Sequence, residues 1–199
     1  MRQYPPVAVL VGNSKIPPPV AQLVEQIPFK DKVLGSIPSG RTMKKESILI
    51  INDIRSVTNV GAMFRTADAA GIKKIYLTGF SPLPVDRFGR IRKDMAKAAL
   101  GAEKFMSWEF KKNVLILLDK LKQDGYLIVG IEQAKNSVDY KKVKLRQKNV
   151  FIVGAEVTGI PRNVLKKCDI IAEIPMRGKK ESLNVSVACG IALFRVLGV

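Results

Sequence analysis

Three short segments of the chain combine polar side chains with the small residues that tight backbone loops require. Residues 59–67 have the pattern Asn-x-Gly-x-x-x-Arg-Thr-Ala, residues 154–159 have Gly-x-Glu-x-x-Gly, and residues 174–188 run from Ile-Pro-Met through a basic loop to Ser-Leu-Asn-Val-Ser. Each segment lies beside an apolar run, as at the end of a strand or the start of a helix. In α/β proteins these places collect side chains and free backbone amides around a ligand. The segments therefore predict one polar site built from three separate loops.

Arg65 is the first candidate for chemistry among these residues. It lies outside the apolar face of its predicted helix, one turn after Gly61, whose missing side chain is expected to leave room for a substrate. A guanidinium can hold a phosphate with two hydrogen bonds and stabilise charge that develops on an oxygen, although it is a poor proton acceptor at neutral pH. The structural alternative is an ion pair with Asp68 on the helix surface.

The other polar candidates have a structural as well as a chemical interpretation. Glu156 is the only charged residue between positions 150 and 161, and it is either a solvated turn carboxylate or a group that orients the arginine or a neighbouring asparagine. Asn59, Ser182 and Asn184 are of the types that cap helices, and the same residues could line a site. For Asn59 we expect both roles, because they are compatible.

Composition limits the kinds of partner and of chemistry. The chain has 34 Lys and Arg against 17 Asp and Glu, a net charge of +17, which indicates a polyanion such as nucleic acid, with a generic basic surface as the alternative. It has no histidine, and Cys168 and Cys189 cannot by themselves complete a zinc site, so no metal centre is expected and both cysteines are interpreted as small core residues. Because no apolar run approaches the length of a membrane span, we expect a soluble, cytoplasmic protein without a membrane partner.

Apolar runs predict the elements that position these loops. Strands are expected at 47–51, 74–78, 104–109, 126–131, 149–153 and 169–174, and helices at 59–70, 94–100, 113–123, 161–167 and 184–197. In the helix at 113–123, the residues expected to face the core are Leu115, Ile116, Leu118 and Leu121. The strand runs are continuously apolar and alternate with helices, which predicts an α/β fold with a mostly parallel sheet flanked by helices. No G-x-G-x-x-G or Walker pattern is present, which disfavours an ordinary Rossmann enzyme.

Residues 1–42 do not share this pattern. Six of the first twenty residues are proline or glycine, and no helical or strand period is sustained before Met43. Residues 20–25 and 35–38 can be back-translated into stretches that resemble the D and T arms of a tRNA gene. Our hypothesis is that an upstream tRNA gene is translated in frame and that the native start is Met43; the alternative is a disordered extension. Residues 43–199 are then one domain.

The three motifs, in this order, resemble the SpoU (TrmH-like) branch of the SPOUT superfamily of RNA ribose 2′-O-methyltransferases. The resemblance covers essentially all of residues 43–199. It implies a deep C-terminal trefoil knot, which is one of the rare exceptions to unknotted topology. It also implies a homodimer in which S-adenosylmethionine (AdoMet) is held in the knot and the arginine of one subunit acts close to the cofactor pocket of the other.

The resemblance also implies roles for individual residues. Arg65 would help to activate the target 2′-hydroxyl, aided by the RNA phosphate. The residues implied to orient the reacting groups are Asn59, Glu156, Ser182 and Asn184. Those implied to surround AdoMet, largely through backbone groups and without a metal, are Val153, Gly154, Ile174, Pro175, Met176 and Leu183.

Two basic segments are the candidate RNA contacts. The loop at 86–93 contributes Arg87, Arg90, Arg92 and Lys93, and includes Phe88, which could stack on a base. The second segment is the run of lysine and arginine at 141–148. The alternative for each is a solvated basic face.

The sequence therefore predicts an AdoMet-dependent enzyme that methylates a ribose 2′-hydroxyl of tRNA or rRNA. Two alternatives remain open at this point. One is a non-catalytic RNA-binding or ribosome-assembly protein on the same fold, and the other is an RNA base methyltransferase.

Overall fold

The structure, a computed structural model, describes residues 45–199 of the chain. The extension expected at residues 1–42, its origin from a tRNA gene and the domain start at Met43 lie outside the described residues and stay predictions. Within residues 45–199 the chain alternates strands and helices as the apolar runs indicate, except that residues 132–147 contain a short strand and a 3₁₀ turn but no α-helix.

Within the described residues, seven strands form one sheet in which every strand pairing is parallel. The strands are β1 (Glu46–Asn52), β2 (Lys74–Thr78), β3 (Trp108–Lys111), β4 (Leu127–Ile131), β5 (Val138–Asp139), β6 (Lys148–Val153) and β7 (Ile170–Glu173). Their order across the sheet is β3-β2-β1-β6-β4-β7-β5. The predicted parallel α/β sheet is thereby confirmed.

Six helices accompany the strands in the described part of the chain. They are α1 (Val57–Ala69), α2 (Lys93–Ala99), α3 (Ala102–Phe105), α4 (Val114–Gln123), α5 (Arg162–Leu165) and α6 (Val185–Leu197). One hydrophobic cluster joins α1, α2 and α6 to the sheet through residues such as Phe64, Met95 and Leu193. A second cluster joins α4 and α5 to the other face through Leu118 and Val164. The continuously apolar strands are explained by this burial on both faces.

Two expectations about local structure are wrong. The stretch 104–109 is not one strand, because the chain first makes α3 and reaches β3 only at Trp108. In α4, Ile116 is 68% exposed, because the five consecutive apolar residues at 114–118 cannot all face one side of a helix; the buried residues of α4 are Leu117, Leu118 and Leu121.

Both cysteines are at least partly buried, as expected of core residues. Cys189 is buried and Cys168 is largely buried, and burial raises the pKa of both thiols to about 12. Among the described residues no group of three or more histidine, cysteine, aspartate or glutamate side chains is placed to hold a metal ion. No helix in residues 45–199 is both long enough and apolar enough to cross a membrane.

Parallel pairing brings the polar loops to one edge of the sheet. Strands β1, β6, β4 and β7 are consecutive neighbours, and their registers place Ile51 beside Val153 and Gly130 beside Ile171. Because the carboxyl ends of parallel strands meet at the same edge, the segments that follow these four strands lie next to one another.

Candidate active site

The three polar motifs meet at the side chain of Asn59. Its Nδ2 donates a hydrogen bond to Oε1 of Glu156 over 3.0 Å, and its Oδ1 accepts one from Nδ2 of Asn184 over 3.2 Å. The partners lie 97 and 125 residues away in the sequence. One carboxamide on α1 therefore joins the loop after β6 to the start of α6.

Glu156 holds the beginning of α1. Its carboxylate accepts hydrogen bonds from the backbone N–H groups of Arg55 and Ser56 over 3.2 and 3.1 Å, in addition to the bond from Asn59. Partial burial acts to raise the pKa of Glu156, but the hydrogen bonds from backbone N–H groups and from Asn59 outweigh it and leave the pKa below its ordinary value. The group is therefore an anion at neutral pH, which accepts hydrogen bonds and has no proton to donate.

Helix capping is divided between Ser56 and Asn184. Asn59 does not cap α1 as the sequence suggested; the cap is Ser56, whose Oγ accepts from the backbone N–H of Asn59 over 3.2 Å. This frees the Asn59 side chain for the site. Asn184 caps α6 by accepting from the backbone N–H of Ser186 over 2.9 Å, and it still reaches Asn59 through its own Nδ2.

Glycines close the loop that carries Glu156. Ala155 and Gly159 exchange two backbone hydrogen bonds of 3.2 and 2.9 Å, which leaves Glu156 in the turn between them. Gly159 has φ +64°, and a Cβ on Gly154 would lie 2.3 Å from the carbonyl carbon of Gly159. Both glycines are therefore needed for the bend.

A cavity of about 210 Å³ opens beside this network. Four of the six residues expected around a cofactor line it, namely Gly154, Ile174, Met176 and Leu183. Pro175 is not in the lining, and Val153 is 1% exposed inside β6. Of the residues expected to orient the reacting groups, Glu156 and Ser182 are in the wall, whereas Asn59 and Asn184 lie beside it.

Two polar residues of the lining were not predicted from the sequence. Glu132 and Gln133 directly follow β4, and their polar character after an apolar strand was the signal that could have identified them. The Glu132 carboxylate accepts from the backbone N–H of Ile160 over 2.7 Å, and a Cβ on Gly159 would lie 2.2 Å from its Oε2. Gln133 donates through Nε2 to the backbone oxygen of Glu181 over 3.0 Å. This dipeptide thus holds both loops that wall the cavity.

Arg65 is exposed on α1, and its side chain forms no hydrogen bond or ion pair with any residue in 45–199. The suggested pair with Asp68 is not formed, so the guanidinium is available to a ligand. It is not in the lining of the cavity of its own chain and forms no hydrogen bond or ion pair with Glu156. Ser182 likewise has no hydrogen-bond partner in the described part of the chain.

The expectation for Gly61 is wrong. A Cβ at Gly61 would lie 2.7 Å from Cβ of Ala98 and 2.9 Å from the backbone oxygen of Met95. The missing side chain therefore lets α2 pack closely against α1, and it does not leave space for a substrate.

The basic loop at 86–93 is partly neutralised. Asp86 pairs with Arg90 over 2.8 Å, and Asp94 pairs with Arg92 over 2.7 Å. Arg87 and Lys93 form no ion pair with the described residues. Arg87 and Arg90 lie over the exposed ring of Phe88, with distances of 4.8 and 5.0 Å from guanidinium carbon to ring centroid. The loop presents a cation-flanked aromatic ring and less free charge than its sequence indicates.

Helix α6 exposes an apolar stripe. Val187, Ile191 and Phe194 are spaced by four and three residues, and are 49%, 37% and 38% exposed. These positions share one side of a helix.

The chain matches the SpoU rRNA Methylase family over residues 46–194, a range that contains all three motifs. It is 33% identical over 153 residues to a putative TrmH family tRNA/rRNA methyltransferase of Staphylococcus saprophyticus, covering 77% of this chain and 59% of that protein. It is 33% identical over 150 residues to the 23S rRNA (guanosine-2′-O-)-methyltransferase RlmB of Pseudomonas aeruginosa, covering 75% of this chain and 58% of that one. The chain thus spans about three fifths of the length of these relatives.

Solved structures show the same fold. An AdoMet-bound rRNA methyltransferase from Sinorhizobium meliloti superposes with a TM-score of 0.70 at 27% identity, over 77% of this chain and 56% of that chain. The A. aeolicus TrmH/SpoU tRNA modifying enzyme superposes with a TM-score of 0.68 at 28% identity, over 77% of this chain and 75% of that chain.

Proposed function

The chain belongs to the SpoU rRNA Methylase family, and on that premise we propose that it transfers a methyl group from AdoMet to a ribose 2′-hydroxyl of tRNA or rRNA. The observation that carries the proposal is the hydrogen-bonded series from Glu156 through Asn59 to Asn184 beside the cavity. It aligns polar groups from three separate segments of the chain, as a reaction that depends on the orientation of its reactants requires.

The cavity suits AdoMet in the chemistry of its walls. Ile131, Ile174 and Val185 provide an apolar surface for a neutral adenine, and backbone groups around Gly154 provide donors and acceptors close to it. Glu132 and Glu156 give the cavity a negative character that complements a sulfonium cation. When bound, the cofactor supplies a methyl group already activated by positive charge on sulfur.

The residues of the chain orient and activate the acceptor. The Glu156 anion and Asn184 fix the carboxamide of Asn59, which can then hold the ribose. The unpaired Arg65 binds an RNA phosphate and stabilises the alkoxide that forms as the hydroxyl loses its proton. Ser182, with a free hydroxyl in the cavity wall, contributes a further hydrogen bond.

Two of these observations support a homodimer. The stripe of Val187, Ile191 and Phe194 leaves apolar surface on α6 that a second copy would cover, and Arg65 stands apart from the cavity of its own chain. Pairing through α6 would allow the arginine of one copy to serve the other. Sedimentation should give a dimer that Ile191→Lys converts to monomer; a monomeric wild-type protein would contradict the proposal.

The strand order supports a C-terminal trefoil knot. β6 inserts between β1 and β4, and β7 inserts between β4 and β5, so both late strands lie inside the sheet. A crystal structure in which the chain end can be withdrawn without passing through a loop would contradict the knot.

Methyl transfer from labelled AdoMet to total cellular RNA, followed by nucleoside mass spectrometry, tests the function. The expected product is a nucleoside whose added mass stays with the sugar after glycosidic cleavage. A methyl group that stays with the base would indicate a base methyltransferase. RNA binding with neither methyl transfer nor AdoMet binding would instead favour a non-catalytic RNA-binding protein.

A further inference from the structure

The segment between β5 and β6 carries a dense row of cations. Residues 140–149 contain five lysine or arginine residues and no acidic residue. Four of them define what we term the basic strip, namely Lys141, Lys142, Lys144 and Arg146. The fifth, Lys148, donates through Nζ to the backbone oxygen of Asp124 over 3.1 Å.

Apolar side chains anchor the strip to the domain. A 3₁₀ turn at Tyr140–Lys142 is followed by residues that alternate between partly buried and exposed. Tyr140, Val143 and Leu145 pack against the hydrophobic cluster of α1 and α6, while Lys142, Lys144 and Arg146 are exposed. The side chain of Asn149 bonds to both the N–H and the C=O of Arg146, over 2.9 and 2.8 Å. The cations are thus held in a row on an ordered backbone.

No cation of the strip forms an ion pair with the described residues. None of the ion pairs found among residues 45–199 includes a member of the strip. In the loop at 86–93, by contrast, Arg90 and Arg92 are both paired with aspartates. A polyanion would bind the strip without first displacing an internal carboxylate.

The strip also lies on the same side of the sheet as the candidate active site. Its 3₁₀ turn packs against α6, and its apolar anchors join the cluster that contains α1. These two helices carry Asn59, Arg65 and the Asn184 cap. Helices α4 and α5 cover the opposite face. An RNA bound on this side of the sheet, outside the α6 stripe proposed to face a second copy, can therefore contact the strip and the site together.

We propose that the basic strip is the principal phosphate-binding surface for the RNA substrate, and that the loop at 86–93 adds less to affinity. This inference rests on the proposed function only in taking RNA as the substrate class. Lysine and arginine in a row neutralise successive phosphates, which gives affinity and position without reading the base sequence.

A matched pair of triple variants tests the proposal. The first is Lys142→Gln, Lys144→Gln and Arg146→Gln in the strip. The second is Lys120→Gln, Lys166→Gln and Arg162→Gln, which removes the same charges from exposed positions without ion pairs on the α4/α5 side. Binding of labelled unfractionated tRNA is measured between about 50 and 200 mM salt. Melting temperature and AdoMet affinity serve as folding controls.

The strip variant is expected to bind tRNA at least about tenfold more weakly than wild type. The slope of log K against log salt concentration should become shallower by about 2 to 3, because each lost phosphate contact removes slightly less than one unit of slope. The control variant should change affinity less than about threefold, since only net charge is altered. Equal losses in both variants would overturn the proposal, as would a larger loss from Arg87→Gln with Lys93→Gln. RNA binding that depends on the strip, without any methyl transfer, would support the proposed phosphate-binding surface and contradict the proposed activity.

Discussion

Asn59 donates a hydrogen bond to Glu156, which lies 97 residues further along the chain, and this hydrogen bond determines which way the Asn59 carboxamide faces. An ionised carboxylate can only accept, so the nitrogen of Asn59 must point to Glu156. Its oxygen is then directed to the Nδ2 of Asn184. The orientation of the site thus depends on one anion that is itself held by backbone N–H groups.

Asn59→Asp should be more damaging than Asn59→Ala. The new carboxylate would lie at hydrogen-bonding distance from the Glu156 anion and repel it, whereas alanine only removes the hydrogen bonds of the carboxamide. We expect methyl transfer to fall at least about a hundredfold in Asn59→Asp and less in Asn59→Ala. Asn136→Asp, at an exposed turn, is the control. Equal activity of the two Asn59 variants would contradict the proposed orientation.

Arg65→Ala should cut methyl transfer by at least about a hundredfold and leave AdoMet affinity nearly unchanged. The guanidinium is exposed and unpaired within residues 45–199, so its loss removes no internal contact. Arg65→Lys keeps the positive charge but cannot bind a phosphate in bidentate fashion, so it should retain part of the activity. Arg162→Ala on α5 is the matched control. Wild-type turnover in Arg65→Ala would remove this residue from the mechanism.

Glu156 should make stability depend on pH only in acid. Its pKa is lowered in the folded protein from an ordinary value of 4.5, so its ionised form contributes stability above that value. The contribution declines as the pH falls from about 4.5 through the lower folded pKa, because protonation then weakens the bonds from Arg55, Ser56 and Asn59. The difference in melting temperature between wild type and Glu156→Gln should be constant from pH 6 to 8 and shrink below about pH 4.5. A difference that grows on acidification would contradict this sign.

Gln133→Ala should weaken AdoMet binding about fivefold. Within the described residues, its bond to the backbone oxygen of Glu181 is the one side-chain hydrogen bond that holds the loop at 177–183, and a typical hydrogen bond contributes about 1 kcal/mol. Calorimetric titration measures the effect. Gln123→Ala, at the exposed end of α4, provides the comparison. An unchanged Kd would show that the loop is held in other ways.

Gly61→Ala should destabilise the fold by about 1–3 kcal/mol, although alanine is the better helix former. The added methyl group would lie 2.7 Å from Cβ of Ala98 and force α2 away from α1. A fall in melting temperature of roughly 2–4 °C per kcal/mol is expected. Gly178→Ala, where a Cβ meets nothing within 4 Å, should be neutral. A neutral Gly61→Ala would indicate that α2 can move at little cost.

Much of the secondary structure was predictable because it depends on residues that are neighbours in the sequence. The apolar runs of β1 and β6 stand out from their flanks, and Asn113 and Asn184 precede the helices that they cap. The cap of α1 was the exception: Ser56 and Asn59 both have suitable side chains, and only the chain path from β1 decides between them. The same holds for Ile116, whose exposure depends on where α4 meets the sheet.

The sequence by itself determined the parallel α/β class, the three motifs and the family to which they belong, since these reside in short patterns of residue type. Only the tertiary structure decided which groups touch. Asn59 forms hydrogen bonds with Glu156 and Asn184, and the absent side chain of Gly61 lets α2 pack against α1. Glu132 and Gln133 hold the loops that line the cavity. Two arginines of the loop at 86–93 are paired with aspartates. The physical reason is that strand order brings together residues about a hundred positions apart, and no local period encodes that order.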